Sequence, residues 1–365
     1  MKGIIPSKLA ITKVQGIIMI LIVLGVSAVA SYWYLLLLPS QTTRELVVSG
    51  YGAEFETLVK KVVIAPFEKQ YNVKITYDGT GSSLDHYAKL KASGGDPGWD
   101  VTVMVDSEVA IAAKEGLLVP VTTDQVPNLK NVYPKLQQYC GQWCAVHYLE
   151  YQYLLYNTNK VKKAPDTWEA LWDQQYKGHV VIKDPTDYGG AMLIVTAAEL
   201  AGGSVTNIDP GIEKLSKLKP NLLTIAKTSA AIVPYIEKEE CWVTHYWTGR
   251  SLYYKFTANL PIDVTIPKEG TYSVIVGLAI PKGAKNKDLA YKYIDFYLTK
   301  EIQRDWSVAY TVAPARLDAA TDLPPQLSSR LATTEQAMAN IKHIDPTYLS
   351  QVRDQWIEKW KKAMA

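Results

Sequence analysis

The chain has 365 residues, with 39 basic against 36 acidic side chains and a formal net charge of +3. So even a balance, without any basic block or RNA-binding signature, excludes a nucleic-acid partner held by its phosphates. The length exceeds what one hydrophobic core usually holds, so two lobes or two domains are expected.

The stretch from Gly16 to Leu38, GIIMILIVLGVSAVASYWYLLLL, carries no charge over 23 residues. That is enough to cross a hydrocarbon core of about 30 Å as a helix. Lys2, Lys8 and Lys13 precede it, and no basic residue follows until Arg44. The asymmetry puts the short N-terminus in the cytoplasm and the remaining ~325 residues outside. Ala28-Val29-Ala30 also fits a small-x-small cleavage site, the alternative being a removed signal peptide. The apolar run continues past it through Tyr32-Trp33-Tyr34 to Leu38. Residues 1–40 are therefore read as an N-terminal membrane anchor (or signal peptide), ahead of a buried core helix, on a single-pass cell-membrane protein with an extracytoplasmic domain.

From Arg44 onward short apolar runs alternate with helical patterns. LVVSG (46–50) reads as a strand, and Phe55, Leu58, Val59 and Val62 follow helical spacing up to Pro66-Phe67. VKITYDG (73–79) is a second strand, and Ser82 with Asp85 fits a capping box that opens a helix. WDVTVMVD (99–106) and a helix from Val109 to Glu115 complete a βαβαβα pattern, which argues for a parallel, doubly wound sheet. A second unit follows. Its strands are YQYLLY (151–156), HVVIKDP (179–185) and Trp242 to Tyr246, its helices Met192 to Leu200 and Gly211 to Leu218. VIVGLAIP (274–281) is a late strand, 288–306 is predicted as one periodic helix, and in 348–364 Leu349, Val352, Trp356 and Trp360 share a face.

Aromatic usage is skewed, with 24 Tyr and 10 Trp against 4 Phe. These rings carry a polar handle and suit wet, ligand-lined surfaces, although each can equally pack in a core. Of three cysteines, Cys140 and Cys144 lie four apart around a Gly-Gln turn. They can form a small disulfide in an oxidising exterior or stay as buried thiols. Two thiols and the nearby His147 do not complete a metal spacing, so no metal or cofactor is expected. The five histidines are scattered and read as structural.

In doubly wound sheets ligands bind beyond the carboxyl ends of the strands. That rule selects Ser49, Gly50 and Tyr51, then Gly79, Thr80 and Ser82, then Asp106 and Ser107. In the second unit it selects Asp184 to Gly190, with Thr186 and Asp187, and Tyr246 to Arg250, with Trp247. Loops of this kind offer backbone N–H groups and hydroxyls to a polar ligand. For Ser82, Asp106, Thr186 and Asp187 the competing role is helix capping, for Tyr51 core packing, and for Arg250 an interlobe or surface ion pair.

The chain resembles the extracellular solute-binding proteins of ABC importers, in the branch with polyamine, iron(III), thiamine and phosphonate receptors. The likeness runs from about 46 to 320. It rests on the order and spacing of IAPFEKQYNVKITYDGTG (64–81), PGWDVTVM (97–104), EGLLVPV (115–121), APDTWEALWDQQYKGHVVIKDP (164–185) and GLAIPKGAKNKDLAYKYIDFYLTKEIQ (277–303). The resemblance implies an α/β, two-lobed, hinged periplasmic-binding-protein fold of type II, each lobe a doubly wound sheet. Lobe 1 would comprise 44–148 and 273–365, and lobe 2 would comprise 149–272. It implies a small polar solute, cationic among the options, held in an interlobe cleft by a monomer that delivers it to ABC permease subunits.

Polyamine receptors of this family carry a Trp and an Asp shortly after the PxEG segment. Here Pro267-Lys268-Glu269-Gly270 is followed by TYSVIVGLAIP, with neither. Iron receptors use adjacent tyrosines, and Tyr253-Tyr254 is the adjacent pair here, in a helix-like setting. Tyr151, near the crossing between lobes, and Glu269 in PKEG complete the predicted ligand set. One rival reading is an anchored enzyme with Asp106 and Glu269 as paired carboxylates. It lacks a nucleophile elbow, HExxH, phosphate loop or triad spacing. The other is a ligand-sensing surface protein that works without a permease.

Overall fold

The computed structural model describes Gly25 and residues 44–365. The expected anchor lies, but for Gly25, outside the described residues. Among the described residues no helix is long and apolar enough to cross a membrane.

Among the described residues twelve strands form the scaffold: β1 Arg44–Ser49, β2 Val73–Asp78, β3 Val101–Val105, β4 Leu118–Val119, β5 Ala145–Asn157, β6 Val180–Lys183, β7 Leu222–Ala226, β8 Val243–Trp247, β9 Ile262–Thr265, β10 Thr271–Pro281, β11 Ala313–Pro314 and β12 Ile341–His343. The helices that frame the site are α1 Ala53–Val59, α2 Ser83–Ala92, α3 Asp106–Lys114, α4 Tyr188–Leu200, α5 Asp209–Ser216, α6 Thr248–Phe256, α7 Lys287–Tyr297, α8 Lys300–Tyr310 and α9 Pro346–Met364.

The strands fall into two halves with one shared plan. In the first the order is β2-β1-β3-β10-β5, with β1 and β3 parallel and β10 antiparallel to both of its neighbours. In the second, β7, β6 and β8 are parallel, and β5 runs antiparallel to β8 and β9. The second half is thus three parallel strands closed by one reversed strand, and in the first β10 likewise runs against the parallel pair β1 and β3, an arrangement that suits a sheet covered by helices on its faces. Strand β5 belongs to both halves. Ala145 to Tyr151 pairs with β10, and Gln152 to Tyr156 pairs with β8. Its near-continuous burial explains why 13 residues of mostly apolar and aromatic character form one strand instead of alternating in and out.

Local chemistry accounts for departures from the predicted elements. The first helix does not stop at Pro66-Phe67. It passes through a π-helical stretch, Lys60–Ile64, into Ala65–Tyr71, and the Ala65 N–H donates to the Lys60 carbonyl. Proline supplies no N–H and crowds the turn before it, and a widened turn accommodates both. The single helix predicted for 288–306 is two, because Thr299 is extended and its hydroxyl donates to the Phe296 carbonyl at 2.8 Å. That local bond competes with the helical ladder. The break lets α8 fold back against α1. The Ser82–Asp85 capping box is present and starts α2.

Cys140 and Cys144 are disulfide-bonded, and Cys241 is buried and free. The final helix α9 packs on α3 of the first half and on α4 and α5 of the second. Its apolar face buries Leu349, Trp356 and Trp360.

Candidate functional site

A cleft of about 270 Å³ opens where the two halves meet, at the carboxyl ends of their strands. Tyr51 enters it from the loop after β1, Val105 from the end of β3, and Asp187 and Tyr188 from the start of α4 after β6. Ser229 follows β7, Trp247 ends β8, and Arg250 lies in α6. The floor comes from the two strands shared at the centre. Tyr148 and Glu150 lie at alternate positions of β5, and Val274 and Val276 do so in β10. Tyr310, the last residue of α8, closes one side.

Glu150 is the chemical centre of this cleft. It is 9% exposed, and burial pushes its carboxyl up to about 7, against the distant pull of Lys183 and Arg250. The backbone N–H of Gly249 donates to its Oε2 at 3.5 Å. Among the described residues no cation stands within ion-pair distance of it. A Cβ at position 249 would sit 3.1 Å from the same carboxylate, so the glycine lets the backbone approach. A desolvated carboxylate walled by Tyr51, Tyr148, Trp247 and Tyr310 has the chemistry of an ammonium site, combining charge with aromatic faces.

The other charges in and beneath the cleft are already paired. Lys183, with a fully buried side chain, sends Nζ to 3.1 Å from Asp187 Oδ1 and to 4.5 Å from the centre of the Trp247 ring. Burial pulls its ammonium down, while Asp187 and then Glu150 hold it up. His245 accepts the Lys183 backbone N–H at 2.9 Å and lies 2.6 Å from Gln152 Oε1, so its ring supports that strand end as a neutral group.

Two contacts cross the cleft. The Tyr188 hydroxyl, from the second half, donates to Glu108 in α3, and it lies 2.7 Å from Ser107 Oγ. Glu108 also accepts from Ser83 at 2.9 Å and from Ser107 at 3.0 Å. Burial raises its carboxyl, and those three hydroxyls oppose the rise. Arg250 pairs with Glu54 of α1 at 2.9 Å, the interlobe ion pair among the alternatives weighed for it. From α9, Arg353 lies 4.1 Å above the Tyr188 ring and donates to the Thr186 carbonyl.

Of the residues predicted for the site, Tyr51, Asp187 and Trp247 line the cleft, and Ser107 stands at its edge. The rest are placed elsewhere. Ser49 is buried against Thr102 at 2.8 Å within the first half. Gly79 packs by Gly52 and Glu56, Thr80 turns back on Asp78, and Ser82 caps α2. Asp106 is enclosed, 2.5 Å from His343 and accepting from the Ile275 N–H. The Tyr151 hydroxyl accepts from the Ala332 N–H inside the core. Thr186 donates to Asp184 in the same turn. Glu269 caps the short 3-10 helix at Trp168. Asp106 and Glu269 therefore serve separate local roles and neither lines the cleft.

Tyr188 lies within the predicted stretch Asp184 to Gly190, whereas Tyr148, Glu150 and Tyr310 were not predicted. A glutamate inside the largely apolar and aromatic run AVHYLEYQYLLY was the available signal for Tyr148 and Glu150. A larger hollow of about 640 Å³ lies along 160–176, among lysines and acids of mixed sign, away from the strand ends. Among the described residues no group of three His, Cys, Asp or Glu side chains could hold a metal ion.

A family model described as bacterial extracellular solute-binding protein matches residues 63–335. A curated relative, the spermidine/putrescine-binding periplasmic protein 1 of Haemophilus influenzae, is 28% identical over 273 residues, covering 72% of this chain and 74% of the relative. The spermidine/putrescine-binding periplasmic protein of Escherichia coli is 27% identical, covering 73% and 77%. The crystal structure of an ABC transporter protein from Clostridium perfringens superposes with a TM-score of 0.73 at 26% identity, covering 88% of this chain and all of that one.

Proposed function

This chain belongs to the bacterial extracellular solute-binding protein family, and from that premise we propose that it captures a small cationic solute, an aliphatic amine, for an ABC importer. The observation that carries the proposal is Glu150: an enclosed carboxylate with no ion-pair partner among the described residues, on the strand common to both halves, inside a box of tyrosines and a tryptophan. An ammonium entering the cleft would neutralise it and gain the aromatic faces as well. Relatives named for spermidine and putrescine support the same class of solute.

In this reading residues 44–148 and 273–365 act as one lobe and 149–272 as the other, turning about β5 and the β9–β10 passage. Tyr188–Glu108 and Arg250–Glu54 are the contacts made on closing. The closed form is what a permease would recognise, and closure around a solute requires no bond to be made or broken. Residues 1–40 would tether a monomeric receptor to the membrane and keep it concentrated beside its transporter.

The test is titration calorimetry with 1,4-diaminobutane, spermidine, 4-amino-1-butanol and a carboxylate such as glutarate. Binding of at least one of these amines but not of glutarate, weakened at least tenfold in Glu150→Gln, is the expected result. Amine affinity unchanged by that substitution would remove Glu150 from the site. Turnover of a bound compound would replace the receptor reading with an enzyme.

A further inference from the structure

We propose that Lys183 stands in for the second ammonium of a ligand, so that this receptor accepts solutes with one cationic end and rejects diamines. The inference rests on the cation-receptor reading above and narrows its substrate.

The cleft presents two carboxylates, Glu150 and Asp187. Asp187 is 3.1 Å from the Lys183 ammonium, which approaches from within the protein. The same ammonium lies 4.5 Å from the Trp247 ring centre and 5.8 Å from that of Tyr246, and 3.4 Å from Ser229 Oγ. A carboxylate, aromatic faces and a hydroxyl are the groups a free alkylammonium would seek, and here the chain's own side chain has them. Room for that lysine is built in. A Cβ at position 189 would fall 2.4 Å from Lys183 Nζ and 2.0 Å from Gln152 Nε2, so glycine is required there. Gln152 Nε2 is itself buried without a hydrogen-bond partner among the described residues, so the pocket does not offer the lysine's place to a second donor.

Two consequences follow for a ligand. With Asp187 neutralised from behind, Glu150 is the cleft carboxylate left to bind a cation. A second ammonium would find Asp187 already matched by Lys183, and would give up its hydration for no free counter-ion. A hydroxyl in the same place carries no such penalty.

The discriminating pair is 4-amino-1-butanol and 1,4-diaminobutane, equal in length and different in one ammonium. Calorimetry on the full-length chain in mild detergent should show the amino alcohol binding at least tenfold more tightly. In Lys183→Met, which keeps the length and removes the charge, Asp187 is released, and the preference should reverse in favour of the diamine by at least tenfold. Adding Asp187→Asn to that variant should abolish the gain. If the wild-type chain binds the diamine as tightly as the amino alcohol, or tighter, the inference is overturned while the cation reading stands. If neither amine binds the wild type, the cation reading itself fails. The wild-type comparison needs no variant, so it decides even if Lys183→Met does not fold.

Discussion

Glu150 is held in a state that folding disfavours. Its carboxyl titrates near 7 in the native chain against an ordinary value of 4.5. The native state therefore keeps a proton that the unfolded state has released between those two values. Stability falls as pH rises through that window, and above it the charged native form bears the whole penalty, about 3 kcal/mol. Glu150→Gln should accordingly raise the melting temperature of the ligand-free protein at pH 8 while weakening amine binding, and differential scanning calorimetry across pH 4–8 reads the first effect. An unchanged pH slope would show that the carboxylate is not enclosed in solution. Amine affinity of the wild type should in turn drop as pH falls below 7, since protonation removes the anion that binds. His147 gives the opposite slope. It is fully buried among Tyr148, Tyr297 and Trp306, and burial pulls it down to about 3. The unfolded chain takes up its proton first on acidification, so stability is lost as pH falls from 6.5 toward 3. His147→Phe should flatten urea midpoints over that range, and an equally steep acid loss would assign the slope to other groups.

Among the elements, β10 depends on one small residue. Its pairing with β5 shifts register between Val276 and Gly277, where a Cβ would lie 2.3 Å from Cys144 Sγ and 3.1 Å from Cys140 Sγ. The disulfide thus fills the space that a side chain at 277 would take. Gly277→Ala overpacks this point and should lower stability by about 1–3 kcal/mol, measured by urea unfolding under oxidising conditions. A neutral result would mean that the strand and the bridged turn separate freely. The capping box of α2 was legible because Ser82 and Asp85 act within one turn. The break at Thr299 was not, because apolar periodicity continues across it and the turn is set by Thr299, whose backbone N–H and hydroxyl both donate to the Phe296 carbonyl.

At the scale of the whole molecule, two side-chain pairs join the halves across the cleft. Tyr188 reaches a carboxylate, and a hydrogen bond to a charged group contributes about 1.5–3 kcal/mol net. Tyr188→Phe combined with Arg250→Ala should shift the ligand-free receptor toward an open form, seen as a larger radius of gyration in solution scattering, with 4-amino-1-butanol restoring the compact value. Scattering identical to wild type would show that these contacts do not hold the halves together. Helix α9 adds a third tie, since it touches α3, α4 and α5 and sets Arg353 on Tyr188. It buries its apolar stripe against both halves at once, a role that amphipathic spacing alone does not reveal.

The succession of most elements along the chain, the resemblance and the rule about strand ends were present in the one-dimensional pattern, because period, capping and turn residues act over a few positions; the order of the strands in the sheet was not. Tyr51, Asp187 and Trp247 were found by that rule. Which strand-end groups turn inward was settled elsewhere. Ser49, Asp106 and Tyr151 turn their polar atoms toward groups within the packed protein, while Tyr148 and Glu150 face the gap because β5 passes from one half to the other. The charge available to a ligand is likewise a tertiary fact. Lys183 and Asp187 are four residues apart on the chain, yet whether they neutralise each other depends on burial, on Gly189 and on the ring of Trp247, which only packing brings together.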